Sequence, residues 1–103
     1  MQVLPFESWR DQQKVYFMKS GDLVKIGISI EPTSRLNQLR TGNPNIELIG
    51  TMWGGEIVEE LLHNKFQAYW VRGEWFQLNE EIISYIQRNR LESREMTMEQ
   101  EEL

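Results

Sequence analysis

The sequence predicts a small α/β (α+β) domain, in which a three-stranded, mainly antiparallel sheet is flanked by helices. Two short apolar runs on either side of Ser20-Gly21 indicate a β-hairpin, because glycine gives the backbone freedom that a tight turn needs. Helical periodicities follow the hairpin, with one further β-like run among them. The 103 residues suit one compact domain, and we expect its ordered part to span 15–90.

The composition is that of an ordinary globular protein, with 40% hydrophobic and 26% charged residues. Cysteine is absent, which excludes disulfides, thiolate zinc sites and cysteine nucleophiles. No apolar run is long enough to span a membrane, and the N-terminus lacks the basic and apolar regions of a signal peptide. We therefore expect a cytoplasmic location and no membrane partner.

Charge is distributed unevenly along the chain. The formal net charge of −5 argues against simple electrostatic binding to nucleic acid. Residues 91–103, however, hold five Glu and one Arg, a net of −4, and lack a core-facing pattern, so we expect an acidic, disordered tail there. Residues 10–40 hold six bases and three acids, a net of +3. Residues 1–14 read as an N-terminal extension, in which Phe6 and Trp9 are spaced for one helical turn.

The predicted hairpin fixes which side chains share a face. With Ser20-Gly21 as a two-residue loop, Tyr16 lies opposite Lys25, and strand side chains alternate between faces. The core face then holds Val15, Phe17, Val24, Ile26 and Ile28, and the other face holds Tyr16, Met18, Leu23 and Lys25. A phenol and an ammonium thus become cross-strand neighbours, with β-carbons roughly 5 Å apart. The plainer interpretation is a partly exposed pair on an amphipathic hairpin.

Start and stop signals delimit the later elements. Pro32 and the Ser and Thr residues around it favour a helix start, and Gly42 and Pro44 end that helix. Asn79 is a candidate N-cap for the last helix. The expected ranges are strands at 15–19, 23–28 and 46–53 and helices near 33–41, 56–69 and 79–89.

The helix over 56–69 has the clearest amphipathic pattern. Its apolar residues recur at three- and four-residue spacings, which indicates a buried stripe. The stripe comprises Ile57, Val58, Leu61, Leu62, Phe66 and Tyr69. Glu59 and His63 lie one turn apart on its flank, and Gly73 then introduces a short extended piece over 74–78.

Several short motifs along the chain are weak signals when each is taken alone, but their order and spacing together are more specific. In chain order the residues are Tyr16, Lys25-Ile26-Gly27, Arg35, Glu59, His63 and Gly73-Glu74-Trp75-Phe76. This arrangement resembles the GIY-YIG nuclease superfamily. It is most similar to the small phage and bacterial subgroup whose second motif reads Lys-Ile-Gly and whose end reads Gly-Glu-Trp-Phe. The resemblance covers about 15–86.

The resemblance implies a metal-dependent endonuclease that hydrolyses phosphodiester bonds of nucleic acid, DNA in preference to RNA. In that family the first tyrosine activates the attacking water or relays its proton, and Tyr16 matches it. Lys25 stands where many members have the second-motif aromatic residue. Arg35 matches the helix arginine that stabilises phosphate charge, and Glu59 matches the glutamate that binds Mg²⁺ or Mn²⁺.

Four further residues complete the predicted site. His63 and Glu74 are expected to support the metal-binding Glu59, and Lys14 and Arg40 to contact nucleic acid. The chemistry is reasonable, because an ammonium beside a phenol favours the phenolate, and the reference pKa of that phenol is about 10. One carboxylate suffices for Mg²⁺, since this ion keeps several waters and takes other ligands from phosphate.

Plain structural roles and a second function remain open. Arg35 has the alternative role of a solvated or ion-paired helix residue, Glu59 that of a helix-dipole partner, and His63 that of a partner for Glu59. The alternative function is a catalytically inactive nucleic-acid-binding or protein-interaction module. The acidic total, Ile28 in place of a frequent basic residue, and the lack of a well-spaced late Asn favour it. A third possibility is a domain that cuts only with a DNA-targeting partner protein.

Overall fold

A computed structural model of the chain describes residues 12–90 and shows a sheet with helices on both faces. In chain order the elements are β1 (Lys14–Ser20), β2 (Leu23–Ser29), α1 (Pro32–Arg40), β3 (Glu47–Trp53), α2 (Glu56–Lys65), a 3-10 turn (Gln67–Tyr69), β4 (Trp70–Arg72), β5 (Trp75–Gln77) and α3 (Glu80–Asn89). The helical turn expected at Phe6 and Trp9 and the acidic tail at 91–103 lie outside the described residues.

The sheet has five strands in the order β3-β1-β2-β5-β4, and every neighbouring pair is antiparallel. The predicted α/β class and the three longer strands are confirmed, but the expected number of three strands is wrong. The two additional strands, β4 and β5, have three residues each. β5 lies within the extended piece expected over 74–78, but three residues are too few for a period-two pattern to indicate a strand of the sheet. Gly73, with φ +54°, makes the turn between them.

The hairpin of β1 and β2 has the expected faces but a different register. The loop residues are Gly21 and Asp22 instead of Ser20 and Gly21, and Gly21 takes a left-handed φ of +60°. The pairing therefore moves by two residues, which sets Tyr16 opposite Gly27. Because side chains alternate with period two, a two-residue shift leaves every side chain on its predicted face.

Both faces of the sheet are buried, whereas the sequence predicted one core face. The first core lies under α2 and α3, and its fully buried members are Val15, Phe17, Val24, Ile26, Leu62, Phe66, Phe76, Ile82 and Ile86. The second lies under α1 and comprises Tyr16, Met18, Leu36 and Ile46. Tyr16 is therefore a core residue of the second layer, and the partly exposed position expected for it is wrong.

The second helix is shorter and buries a narrower stripe than its pattern predicted. α2 ends at Lys65, because Phe66 leaves helical geometry and places its ring in the first core. Only positions spaced by four residues, Val58, Leu62 and Phe66, face the sheet. Ile57 and Leu61, which the prediction placed in the buried stripe, are 75% and 62% exposed.

The helix ends follow the expected signals in part. The expected Ser or Thr cap of α1 is wrong, because Glu31 is the N-cap residue and its side chain makes no capping hydrogen bond. Pro32 occupies the first turn of α1. Asn79 caps α3, since its side-chain oxygen accepts a hydrogen bond from the backbone N–H of Ile82 at 3.1 Å. Among the described residues, no helix has the length and apolar character required to cross a membrane.

Candidate functional site

The ring of Tyr16 lies across β2 at Gly27. A β-carbon built on Gly27 would stand 2.5 Å from the Tyr16 hydroxyl oxygen and 2.8 Å from Glu74 Oε1. No side chain fits there, which is why this strand position requires glycine. The phenol oxygen and the Glu74 carboxylate therefore border one small space above Gly27, which we call the Gly27 cradle. The predicted direct pairing of Tyr16 with Lys25 is wrong, because the register differs by two residues.

Lys25 lies at the Gly27 cradle because it contacts Glu74, and not because it pairs with Tyr16. Its Nζ lies 3.1 Å from Glu74 Oε1, and the Lys25 side chain is only 13% exposed. Trp75, the register partner of Lys25 on β5, holds the other side of the ammonium at 5.6 Å from its ring centroid. Lys25 is thus fixed at the Gly27 cradle through Glu74 and Trp75.

Glu59 approaches the cradle from α2 and meets the second carboxyl there. Its side chain is 16% exposed and hydrogen-bonds to Glu74. Burial, followed by the hydrogen bond and the negative charge of Glu74, raises the pKa of Glu59 to about 7, and His63 opposes that rise only in part. The raised pKa keeps Glu59 protonated to a higher pH than a free glutamate.

His63 attaches α2 to the edge of β2. Its Nε2 lies 2.9 Å from the carbonyl oxygen of Ile26, and a carbonyl only accepts, so Nε2 carries a hydrogen and donates it. The N–H of the same Ile26 donates to the Glu74 carbonyl at 2.9 Å, at the point where β5 leaves β2. His63 Nε2 is 4.0 Å from Glu59 Oε2. His63 thus positions the helix that carries Glu59.

Three predicted site residues make contacts away from the cradle. Arg35 is exposed, and its Nη1 donates to Gln38 Oε1 at 3.1 Å within α1. Arg40 Nε donates to the Ile46 carbonyl at 3.0 Å, which ties α1 to the start of β3. Lys14 Nζ lies 5.0 Å from the ring centroid of Trp53. The structure thus brings together Tyr16, Lys25, Glu59, Glu74 and His63, and gives Arg35, Arg40 and Lys14 other neighbours.

The donor set at the cradle suits a hard divalent cation. Within residues 12–90, no three His, Cys, Asp or Glu side chains form a ready-made ligand group. Mg²⁺ is commonly held by one or two carboxylates and keeps several waters, and Glu59 and Glu74 supply two carboxylates in contact. A bound cation would neutralise the charge of both carboxylates. A zinc site of His and Cys ligands does not fit these residues.

Sequence reasoning missed the importance of Gly27 and the central place of Glu74. Glu74 contacts both Lys25 and Glu59, although the sequence suggested only a supporting role. The available signal was a glycine inside an apolar strand, which often marks a close approach of another group. The glycine alone did not show which group approaches it, because that depends on the register that sets Tyr16 opposite Gly27.

Comparison with known proteins identifies the family. Residues 12–90, the same range that the structure describes, match the family model of the T5orf172 domain. The chain therefore belongs to the T5orf172 domain family. No curated protein and no solved structure gives a significant match.

Proposed function

We propose that this chain is a metal-dependent endonuclease of the GIY-YIG type, which hydrolyses phosphodiester bonds of nucleic acid, with DNA as the expected substrate. The observation that carries the proposal is the convergence of Tyr16, Lys25, Glu59 and Glu74 on the Gly27 cradle. The T5orf172 domain is phage-associated and related to nuclease folds of this type, which supports the same conclusion.

The residues of the cradle have complementary roles in hydrolysis. The reaction forms a bond from a water oxygen to phosphorus and breaks one phosphorus–ester bond, whose oxygen takes up a proton. The Tyr16 hydroxyl is the group that would hold or relay the proton of the attacking water. Lys25 supplies a fixed positive charge where negative charge develops on the phosphate oxygens.

Glu59 and Glu74 are the residues that would hold Mg²⁺ or Mn²⁺. When bound, such an ion neutralises charge on the phosphate and orients it. His63 keeps α2, and with it Glu59, against the edge of β2 through its hydrogen bond to Ile26. Glu74 would then contact both the cation and Lys25, which limits how far either charge can move.

A second function, a nucleic-acid-binding or protein-interaction module without activity, is favoured by one observation. Arg35, the expected phosphate contact, is hydrogen-bonded to Gln38 on the surface of α1. In an active enzyme its guanidinium must leave Gln38 to reach the phosphate. In an inactive module the Arg35–Gln38 contact has no need to change.

A cleavage assay separates these functions. The purified chain is incubated with supercoiled plasmid and with single-stranded oligonucleotides, in Mg²⁺, in Mn²⁺ and in EDTA. We expect cleavage that requires the metal, that is lost in Glu59→Gln and that is kept in Glu60→Gln, because adjacent helix positions point about 100° apart. Glu60 is exposed. Binding of nucleic acid without cleavage in any metal would support the inactive module.

A further inference from the structure

A second concave site lies beside the Gly27 cradle, on the same face of the sheet. It encloses about 250 Å³ and is lined by Ser20, Leu23, Asn43, Arg72 and Trp75. We call it the hairpin-tip pocket, because Ser20 and Leu23 flank the turn between β1 and β2.

Trp75 joins the pocket to the cradle. It follows Glu74 directly in the chain, and its ring lies beside the ammonium of Lys25. The side chain also packs against the second core. A tryptophan that is held on one side and lines a pocket on the other is a rigid surface on which a flat ring can stack.

The remaining walls supply charge and hydrogen-bonding groups. Arg72 is exposed at the end of the edge strand β4, and it takes part in none of the ion pairs within residues 12–90. Asn43 Nδ2 donates to Ser20 Oγ at 2.8 Å, which fixes the orientation of both side chains. An amide and a hydroxyl each retain further hydrogen-bonding capacity beyond that bond.

We propose that the hairpin-tip pocket binds one unpaired nucleobase of the substrate strand, adjacent to the phosphodiester in the cradle, with Trp75 stacking on the base and Arg72 contacting its phosphate. This inference rests on the proposed nuclease function, because it assigns the neighbouring nucleotide of the same substrate. The amide and hydroxyl of Asn43 and Ser20 would contact the polar edge of the base.

Stacking on Trp75 requires an unpaired base. The pocket has a volume of about 250 Å³, which lies near the lower end of the range for small-molecule sites and is sufficient for a single ring system. A base inside a duplex is stacked on both faces and cannot lie on Trp75 unless it is extruded. The substrate is thus expected to be single-stranded, or opened by one nucleotide, next to the cleaved bond.

Binding titrations in EDTA test the pocket without requiring cleavage. Anisotropy of a labelled single-stranded oligonucleotide is measured with the full-length chain and its variants. We expect Trp75→Leu to weaken binding roughly tenfold and Trp75→Phe to change it less than about threefold, because only the latter keeps a stacking surface. Arg72→Gln should weaken binding, whereas Arg88→Gln, a matched exposed charge on α3, should do so less.

Oligonucleotides with a single abasic site at successive positions locate the base. An abasic site at one position should weaken binding as much as Trp75→Leu does, whereas abasic sites at the other positions should have little effect. Binding by Trp75→Leu equal to that of the parent chain, with a flat abasic scan, would overturn the pocket even if the protein cuts DNA. If Trp75→Leu does not fold, the same titrations are made with Arg72→Gln and Asn43→Ala. Weaker binding by these variants supports the pocket, and unchanged binding by both overturns it. Binding that depends on Trp75, without cleavage, would refute the proposed nuclease activity but would still support the nucleobase-binding pocket.

Discussion

Gly27 is the single residue on which the geometry of the candidate site depends most. The two oxygens that flank its α-carbon leave no room for a methyl group, since a β-carbon would approach both more closely than 3 Å. We expect Gly27→Ala to displace Tyr16 or Glu74, to cost about 1–3 kcal/mol of folding stability and to remove most activity. Thermal unfolding and the cleavage rate together check this expectation.

Gly42→Ala is the matched control, because a β-carbon on Gly42 meets nothing within 4 Å. It should leave activity unchanged and stability unchanged or slightly higher. Retention of full activity and stability by Gly27→Ala would show that the phenol and the carboxylate do not border a common space.

The raised pKa of Glu59 gives folding stability a defined pH dependence. The pKa of Glu59 is raised from 4.5 to about 7 in the folded chain, so between those values the folded state binds the proton and the unfolded state releases it. The contribution of Glu59 to stability is therefore fully present below pH 4.5 and is lost as the pH rises through 7. The loss should be about 1 kcal/mol, smaller than the full shift implies, because solvent screens a group near the surface.

Urea unfolding in EDTA at pH 5 and pH 8 measures this difference. Glu59→Gln, which cannot ionise, should remove much of the decline with pH, and Glu60→Gln should retain it. An identical pH dependence in Glu59→Gln and the parent chain would mean that the Glu59–Glu74 contact does not hold the proton.

Side chains alternate between the two faces of the sheet along the strand β2, so substitutions at adjacent positions should affect stability and activity differently. Val24 is fully buried in the first core, whereas Lys25 points to the opposite face and contacts Glu74. Val24→Ala should lower stability by about 1–2 kcal/mol, since two buried methyl groups are lost. Lys25→Ala should lower the cleavage rate with a smaller loss of stability. Similar losses of stability in both variants would contradict the assignment of faces.

The same alternation explains how much of the fold could be predicted. Period two identifies which side chains share a face, and those faces are correct for both strands of the hairpin. It does not choose between Ser20-Gly21 and Gly21-Asp22 as the loop, because a shift of two residues preserves every face. The strands β4 and β5 are too short to produce a pattern.

The sequence named candidate site residues but did not give the contacts between them. Tyr16 and Lys25 do lie on one face, but Lys25 meets Glu74 where the sequence predicted Tyr16. That contact depends on β5 pairing beside β2, a long-range pairing with no local signal. The exposure of Ile57 and Leu61 has a related cause, since periodicity gives the apolar positions of a helix but not the width of the surface that covers them.

At the scale of the whole molecule, charge is divided between the basic hairpin half and the acidic end of the sequence. Residues 10–40 carry a net of +3 and residues 91–103 a net of −4. We expect truncation after residue 90 to tighten binding to nucleic acid or to leave it unchanged, and not to weaken it, because the removed segment carries negative charges that would compete with phosphate. The gain should be largest at low salt and fade as the screening length falls to about 8 Å near physiological ionic strength.

Paired titrations of the full-length and truncated chains at two salt concentrations measure this effect. If the two chains bind with equal affinity at both salt concentrations, residues 91–103 do not compete with phosphate and serve solubility alone. Weaker binding by a correctly folded truncated chain would place part of the nucleic-acid surface beyond residue 90 and contradict the expectation.

The proposed role of Tyr16 in hydrolysis is tested by the single-turnover cleavage rate of labelled DNA in Mg²⁺, measured for the parent chain, Tyr16→Phe and Tyr69→Phe. Tyr69 is the control, since its hydroxyl donates to Glu81 at 2.6 Å, outside the cradle. If Tyr16 acts on the attacking water, Tyr16→Phe should lose at least about 100-fold in rate and Tyr69→Phe should change little. Equal rates in Tyr16→Phe and the parent chain, with both folded, would rule out this role.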